Sequence, residues 1–249
     1  MARKNIQINA PLYLQVEATL KEMIEESVYA TGEQIPSERV LSEQLGVSRM
    51  TVRKAIENLM RYGLLERRST NGTFVRQPKV MRRVGKDVAV GLTQLLTEEG
   101  SKAGSKLLKF EEILAPLKVA EKLNLHIGEH VVMIQRLRTS NGLPFCVETS
   151  YIPRELIPDL TADDLERPFA SLYSIMLNRY QIKLSNNSET LKLSYATSEE
   201  ANLLCLNEGD PVLLLRSVVM DENDRRVEYL KSVNHPGLVM FSSMSTLVL

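Results

Sequence analysis

Between Ser37 and Tyr62, two short segments of apolar periodicity flank Leu45-Gly46-Val47-Ser48, and few folds accommodate that arrangement. Ser37 can accept from a free N–H at the start of a short helix through Leu45, which buries Val40, Leu41 and Leu45. Gly46 permits the left-handed backbone of a tight turn. Ser48 caps a further helix to about Tyr62, with Val52, Ile56, Leu59 and Met60 toward the core. Upstream, Tyr13, Val16, Leu20 and Ile24 recur at helical spacing and predict a helix over Pro11 to Ser27, with Pro11 suited to its first turn. After Gly63, Leu65-Glu66-Arg67-Arg68 and Thr73-Phe74-Val75-Arg76 alternate around Thr70-Asn71-Gly72, the pattern of a β-hairpin. Two short helices across a tight turn, followed by a hairpin, make a winged helix-turn-helix, whose second helix enters the DNA major groove.

Whole-chain charge argues neither way, because Lys and Arg together number 31 and so do Asp and Glu. Attraction to phosphate depends on local charge. From Ser48 to Lys86 the acids are Glu57 and Glu66 alone, against Arg49, Arg53, Lys54, Arg61, Arg67, Arg68, Arg76, Lys79, Arg82, Arg83 and Lys86. The start of the second helix places Ser48, Arg49, Thr51, Arg53 and Lys54 where base edges and phosphates lie, and an Arg can grip guanine with two hydrogen bonds. Arg39 on the preceding helix and Arg67 and Arg68 in the wing are candidates to hold the DNA backbone or a groove. Gly72 lets the wing tip approach the duplex closely. Taken singly, each arginine reads as a solvated surface residue; turn, caps, apolar stripe and basic face together point to DNA.

Gln77 to Lys86 is polar, basic and contains Pro78, so residues 78–87 are expected to link residues 1–77 to a second domain over 88–249. There the texture changes. Val131 to Arg138 and Phe145 to Ile152 read as strands joined by Ser140-Asn141-Gly142, a strong hairpin signal. Thr190 to Ser194, Val212 to Met220 and Arg226 to Val233 read as further strands, and Asp221 to Asp224 as a turn. Helices fit Val88 to Gly100, Lys118 to Leu123, Ser171 to Tyr180 and Ser198 to Leu204. Strands paired through short turns with helices between them predict an α+β domain on a mostly antiparallel sheet. Arg136 and Arg138 project from one face of their strand and could bind a phosphate or carboxylate. Glu148 and Tyr151 on the partner strand offer an acceptor and an amphipathic wall. The plainer alternative is a cross-strand ion pair between Glu148 and one of the arginines.

The run Ile35-Pro36-Ser37-Glu38-Arg39, Leu45-Gly46-Val47-Ser48-Arg49, Thr51-Val52-Arg53-Lys54-Ala55, Gly63-Leu64 and Gly72-Thr73-Phe74-Val75 resembles the DNA-binding domain of GntR-type regulators over about Pro11 to Arg76. The resemblance implies that Arg39, Arg49 and Arg53 contact bases or phosphates and that Gly72 reaches the minor groove. A longer aminotransferase-like partner domain does not fit this length, and an all-helical metal-binding one does not fit these strands. Leu123 to Gly128-Glu129, Arg136-Leu137-Arg138, Gly142-Leu143-Pro144, Glu148 to Pro153, Ser171-Leu172-Tyr173 and Val227-Glu228-Tyr229 instead resemble the UTRA effector domain of the HutC branch. That resemblance implies a chorismate-lyase-like fold and adds Thr93, Ser171, Tyr173 and Glu228 to the effector-binding set. Phosphosugar-sensing relatives often carry an aromatic and charged cluster where this chain reads Asn234-His235-Pro236-Gly237-Leu238, so a sugar phosphate is the leading guess rather than the implied ligand.

His126-Ile127-Gly128-Glu129-His130 matches a zinc-peptidase pattern, which works only on a helix. Gly128 interrupts it and a strand follows, so neither a metal nor a cofactor is expected, and no catalytic residue is assigned. Cys146 and Cys205 are too few for a disulfide framework and fit a reduced cytoplasm. No apolar run is long enough to span a bilayer, and Met1 to Ala10 carries no export signal. The expectation is a cytoplasmic homodimer that binds a pseudo-palindromic double-stranded operator, a repressor released by a small anionic metabolite such as a sugar phosphate. The rivals are a chorismate-lyase-like enzyme tethered to nucleic acid and a protein that binds DNA without regard to sequence.

Overall fold

The computed structural model of the chain describes residues 11–30, 32–68, 72–76, 80–84, 91–98, 100–167 and 170–243. The expected wing-tip residues Thr70 and Asn71, both ends of the expected linker and the start of the helix expected from Val88 lie outside the described residues. The chain divides into two compact units, residues 1–77 and 78–249.

In the first unit, α1 (Leu12–Glu25), α2 (Glu38–Leu45) and α3 (Arg49–Arg61) precede the antiparallel pair β1 (Leu65–Arg67) and β2 (Thr73–Val75). Ser37 and Ser48 cap α2 and α3, accepting from the N–H groups of Val40 and Thr51 at 3.4 and 3.1 Å. Gly46 ends α2 at φ 66°, which a residue with a Cβ rarely adopts. Val16 and Leu20 of α1, Leu41 of α2, Val52, Ile56 and Leu59 of α3, and Leu65 and Val75 of the hairpin form one core. Pro11 differs from expectation: it caps α1 instead of entering its first turn. Asn58 donates to buried Glu17 at 3.1 Å, a polar tie between α3 and α1.

The second unit is built on a six-stranded antiparallel sheet in the order β4-β5-β6-β9-β8-β7. Its strands are β4 (Ala103–Leu114), β5 (His130–Ser140), β6 (Leu143–Pro153), β7 (Leu184–Tyr195), β8 (Pro211–Asp221) and β9 (Arg226–Asn234). Asn141 and Gly142, both at positive φ, close the β5–β6 hairpin as their residue types favour. Val132, Ile134, Ile152, Val219 and Val227 project from one face against the segment 156–165 and against α7 (Leu172–Tyr180). The opposite face is packed by α5 (Leu117–Leu123), through Val119 and Leu123 on Val131 and Tyr229. Short helices α4 (Leu92–Glu98), α6 (Ala162–Glu166) and α8 (Ser198–Leu204) complete the unit.

The expected linker requires correction. Val80–Arg83 is a strand, β3, paired in parallel with β10 (Val239–Ser242). Val80 and Arg82 are buried while Met81 and Arg83 are exposed, the two-residue alternation of a strand with one face packed. Polar composition and Pro78 concealed that alternation. The His126–His130 segment is a turn: Gly128 sits at φ 97°, the Glu129 carboxylate accepts from the His126 N–H at 2.6 Å, and His130 opens β5.

Candidate functional site

Every residue assigned to DNA lies in the first unit. Ser48, Arg49, Thr51, Arg53 and Lys54 occupy the cap and first turns of α3. Ser48 and Thr51 are engaged with each other, their hydroxyl oxygens 2.8 Å apart, so they shape the helix start as well as lining its outer face. Arg53 pairs with Glu57 at 3.1 Å and Arg39 with Glu43 at 2.8 Å, each one turn along its own helix. Such exposed pairs contribute about 1 kcal/mol or less, so a phosphate can displace the carboxylate. Arg49 is exposed and has no ion pair among the described residues. The Lys54 ammonium sits 4.0 Å from the centre of the Tyr13 ring. A groove of about 540 Å³ between α1 and α3 is bordered by Tyr13, Met50, Arg53, Lys54 and Arg61. In the wing, Arg67 reaches Glu38 at 3.1 Å and the Arg68 guanidinium lies over the Phe74 ring. Gly72 has φ 104°, which a residue with a Cβ rarely adopts, and an added Cβ would also push aside the flexible end of the Gln34 side chain. The glycine is thus required by its own unit, apart from any closeness to DNA.

The second unit holds a cavity of about 40 Å³ between the sheet and the first turns of α4 and α7. It gathers Thr93, Arg136, Arg138, Glu148, Ser171, Tyr173 and Glu228 from five separate elements and the α7 cap. Arg136 lies directly opposite Glu148 in the β5–β6 ladder, and Arg138 is two residues further on the same face. The β5–β6 register shifts after Arg138, where Phe145 of β6 is the extra residue, and Leu108 of β4 is extra beside Arg136; bulges of this kind re-aim side chains next to sites. Arg138 is 2% exposed, and it donates to Thr93 Oγ1 at 2.7 Å and to Ser105 Oγ at 3.4 Å. Glu148 Oε2 stands 3.6 Å from Arg136 Nη2 and 3.9 Å from Arg138 Nε, so the cross-strand pairing exists but is loose. The Nε atoms of both arginines are buried without a hydrogen bond. Burial, and secondly the neighbouring Arg136, lowers the Arg138 pKa to about 10. Across the cavity, Tyr173 donates to Glu228 Oε2 at 2.6 Å. Burial raises the Glu228 carboxyl above its ordinary range and drives the Tyr173 phenol well above its own. Ser171 caps α7, accepting from the Ser174 N–H at 3.3 Å, which brings the positive end of that helix to the cavity.

Tyr151 does not belong to this group. Three residues after Glu148 on an extended strand, it faces the opposite side of the sheet. There its ring stacks on Tyr229 at 6.2 Å and packs with the α5 cluster. Placing it beside Glu148 took the hairpin as the unit when the face was what mattered. One charged lining residue, Arg82 of β3, escaped the sequence reading, as did the uncharged Gly91, Leu92, Leu172 and Leu230. The Val80-Met81-Arg82-Arg83 alternation was the available signal, hidden by the surrounding basic and polar composition.

A winged helix-turn-helix with a cationic recognition helix, joined in one chain to a sheet unit with an arginine-lined cavity, defines a DNA-binding transcription regulator. Residues 12–75 match the model of the bacterial regulatory proteins of the gntR family, and residues 98–236 match the UTRA domain. The chain is 34% identical over 229 residues to the HTH-type transcriptional repressor NagR of Bacillus subtilis (strain 168), covering 92% of both chains. It is 30% identical over 202 residues to the HTH-type transcriptional regulator GmuR of the same organism, covering 80% of this chain and 83% of that one. Among solved structures, PhnF from Mycobacterium smegmatis superposes with a TM-score of 0.63 at 27% identity, covering 93% of this chain and 99% of that chain. The chain belongs to the GntR family of transcription regulators, in its UTRA-bearing branch, as the sequence resemblance implied. It is a regulator and not an enzyme, so the tethered-enzyme rival falls. No helix among the described residues is long and apolar enough to cross a membrane.

Proposed function

We propose that this regulator is a cytoplasmic homodimeric repressor that binds a pseudo-palindromic operator through α3 and the wing, and that a small anion in the Arg136–Arg138 cavity lowers its affinity for DNA. The observation that carries the effector half is the loose neutralisation of two buried guanidinium groups by one carboxylate more than 3.5 Å from each. A built ion pair would have closed that gap, since buried charges without close partners are costly. An incoming oxyanion can take the free Nε–H groups, the hydroxyls near them and the start of α7. The cavity has room for about three water molecules, the size of a phosphate, sulfate or carboxylate group, so a phosphate ester would anchor by its head. The similarity to the transcriptional repressor NagR supports the direction of control. Thr93, Ser171, Tyr173 and Glu228 would orient the ligand, and Arg39, Arg49, Arg53, Lys54, Arg67 and Arg68 would hold DNA.

Selection of binding sites from random duplex DNA, followed by footprinting of the full chain, tests the DNA half. Arg49→Ala or Arg53→Ala should weaken binding to the selected site by about 10-fold or more, since one bidentate base contact is worth roughly 1–3 kcal/mol, while changing nonspecific binding much less. Equal losses on both, or the absence of any preferred site, would favour sequence-independent binding instead.

A further inference from the structure

Arg82 is 9% exposed and borders the same cavity as Arg136 and Arg138. Its Nη1 donates to Ser232 Oγ at 2.8 Å and to Asn234 Oδ1 at 2.9 Å, and its guanidinium lies 5.5 Å from the centre of the Phe241 ring. All of these partners are neutral, and no carboxylate among the described residues reaches ion-pair distance. The cavity therefore holds a third guanidinium whose charge no carboxylate among the described residues balances, at a burial where a cation ordinarily has a counter-ion.

The position of this residue in the chain gives it a second property. β3 begins three residues beyond the end of the first unit at residue 77. It lies in the stretch between residues 75 and 98, outside both family matches. The strand is attached to β10 by a short parallel ladder of four residue pairs, and its Arg82 side chain reaches into β9 through Ser232 and Asn234.

We propose that Arg82 is a third anion-binding residue of the effector cavity, and that an anion bound there fastens β3 to the sheet and so stabilises the strand that follows the DNA-binding unit. The proposal rests on the effector reading above. An anion between Arg82 and Arg138 supplies the missing counter-charge, and removing it leaves β3 held by its ladder, by Val80 packed among Leu92, Leu96, Phe145 and Leu238, and by two neutral acceptors. Occupancy of the cavity is thereby converted into the stability of the strand that follows the first unit.

The test uses the full chain and inorganic phosphate as the probe, with calorimetric titration and amide hydrogen exchange over residues 80–84. Arg82→Gln should weaken phosphate binding by about 10-fold, the scale of one charge-assisted contact, and Arg82→Lys, which keeps the charge, should lose less. At saturating phosphate, exchange at Val80 and Val84, whose N–H groups donate to Leu238 and Ser242, should slow in the wild type and stay unchanged in Arg82→Gln. Melting and far-UV circular dichroism establish that each variant is folded; if Arg82→Gln is not, the comparison of Arg82→Lys with the wild type decides. Phosphate binding by the Arg82 variants equal to wild type, with Arg136→Gln losing it, would overturn this proposal and leave the cavity reading standing. Failure of the wild type to take phosphate at about 10 mM, a concentration that detects even weak sites, would overturn both. Binding without any slowing of exchange in β3 would overturn the coupling.

Discussion

Replacing Arg138 by Met tests whether its guanidinium is there for the fold or for a ligand. The side chains are similar in length, and Met fills irregular space without a charge. In the unliganded protein, burial and Arg136 lower the Arg138 pKa to about 10 despite the attraction of Glu148. At about 1.4 kcal/mol per pH unit, that drop weighs on the order of 3 kcal/mol against the ionised form. Met avoids this penalty and forfeits the 2.7 Å bond to Thr93 and the longer contact with Ser105, together worth roughly 1–2 kcal/mol. Glu148 keeps its 3.6 Å neighbour Arg136. The balance is a gain of about 1–2 kcal/mol, or about 2–8 °C in melting temperature for a unit of this size. The chain has no Trp, so urea and thermal unfolding are best followed by circular dichroism. The same variant should lose the stabilisation that anionic ligands give the wild type, the trade of stability against binding expected of a site built for a charge. A loss of more than about 1 kcal/mol without ligand would refute the reasoning and make Arg138 a structural ion-pair partner.

Three further outcomes follow from particular contacts. Leu59→Ala opens a hole in the core of the first unit and should cost about 2–5 kcal/mol; calorimetry should show that unit melting earlier while the second unit melts unchanged, and a common shift of both would contradict their independence. Glu228 carries a proton in the folded chain at a pH where a free carboxyl has lost it, so stability should fall as pH rises from the ordinary carboxylate range through the raised value. Binding of sulfate, whose own charge is fixed over that range, should weaken in the same direction, and Glu228→Gln should flatten both curves; a wild-type profile that is already flat would count against the shift. Gly72→Ala places a Cβ against the Gln34 side chain at φ 104° and should cost the first unit about 1–2 kcal/mol before any DNA is added, a loss that urea unfolding would detect.

The first unit was legible because its signals are local. Two serine caps, Gly46 at the turn, the α3 stripe and the Thr73–Val75 alternation each act over a few residues, and each agrees with the same fold. The β5–β6 hairpin was legible for the same reason, through Asn141-Gly142. Local signals failed where burial is set by distant partners. Strand β4 is an edge with much of its length exposed, so Ser105-Lys106-Leu107-Leu108-Lys109 lacks a clean apolar alternation and was not read as a strand. β3 and β10 are four residues each and gain their structure from partners distant in sequence, pairing with one another across most of the second unit. The arginine pair was found from spacing on one strand, while Thr93, Ser171, Tyr173 and Glu228 came from the family resemblance, since nothing in their local sequence says that they meet. Tyr151 was misplaced by one sheet face, and Arg82 was passed over as part of a linker.

The most direct test of the account measures operator affinity and effector response together. Fluorescence anisotropy of a labelled selected operator, titrated with the full chain at fixed salt, should give tight specific binding that weakens when an anionic ligand found by thermal-shift screening of phosphorylated sugars is added. A coupling of about 1–3 kcal/mol predicts roughly 5–150-fold weaker binding. The Arg136→Ala/Arg138→Ala double variant should bind the operator as the wild type does without ligand and show no response to it. An undiminished response in that variant would contradict the claim that this cavity is where the regulator reads its signal.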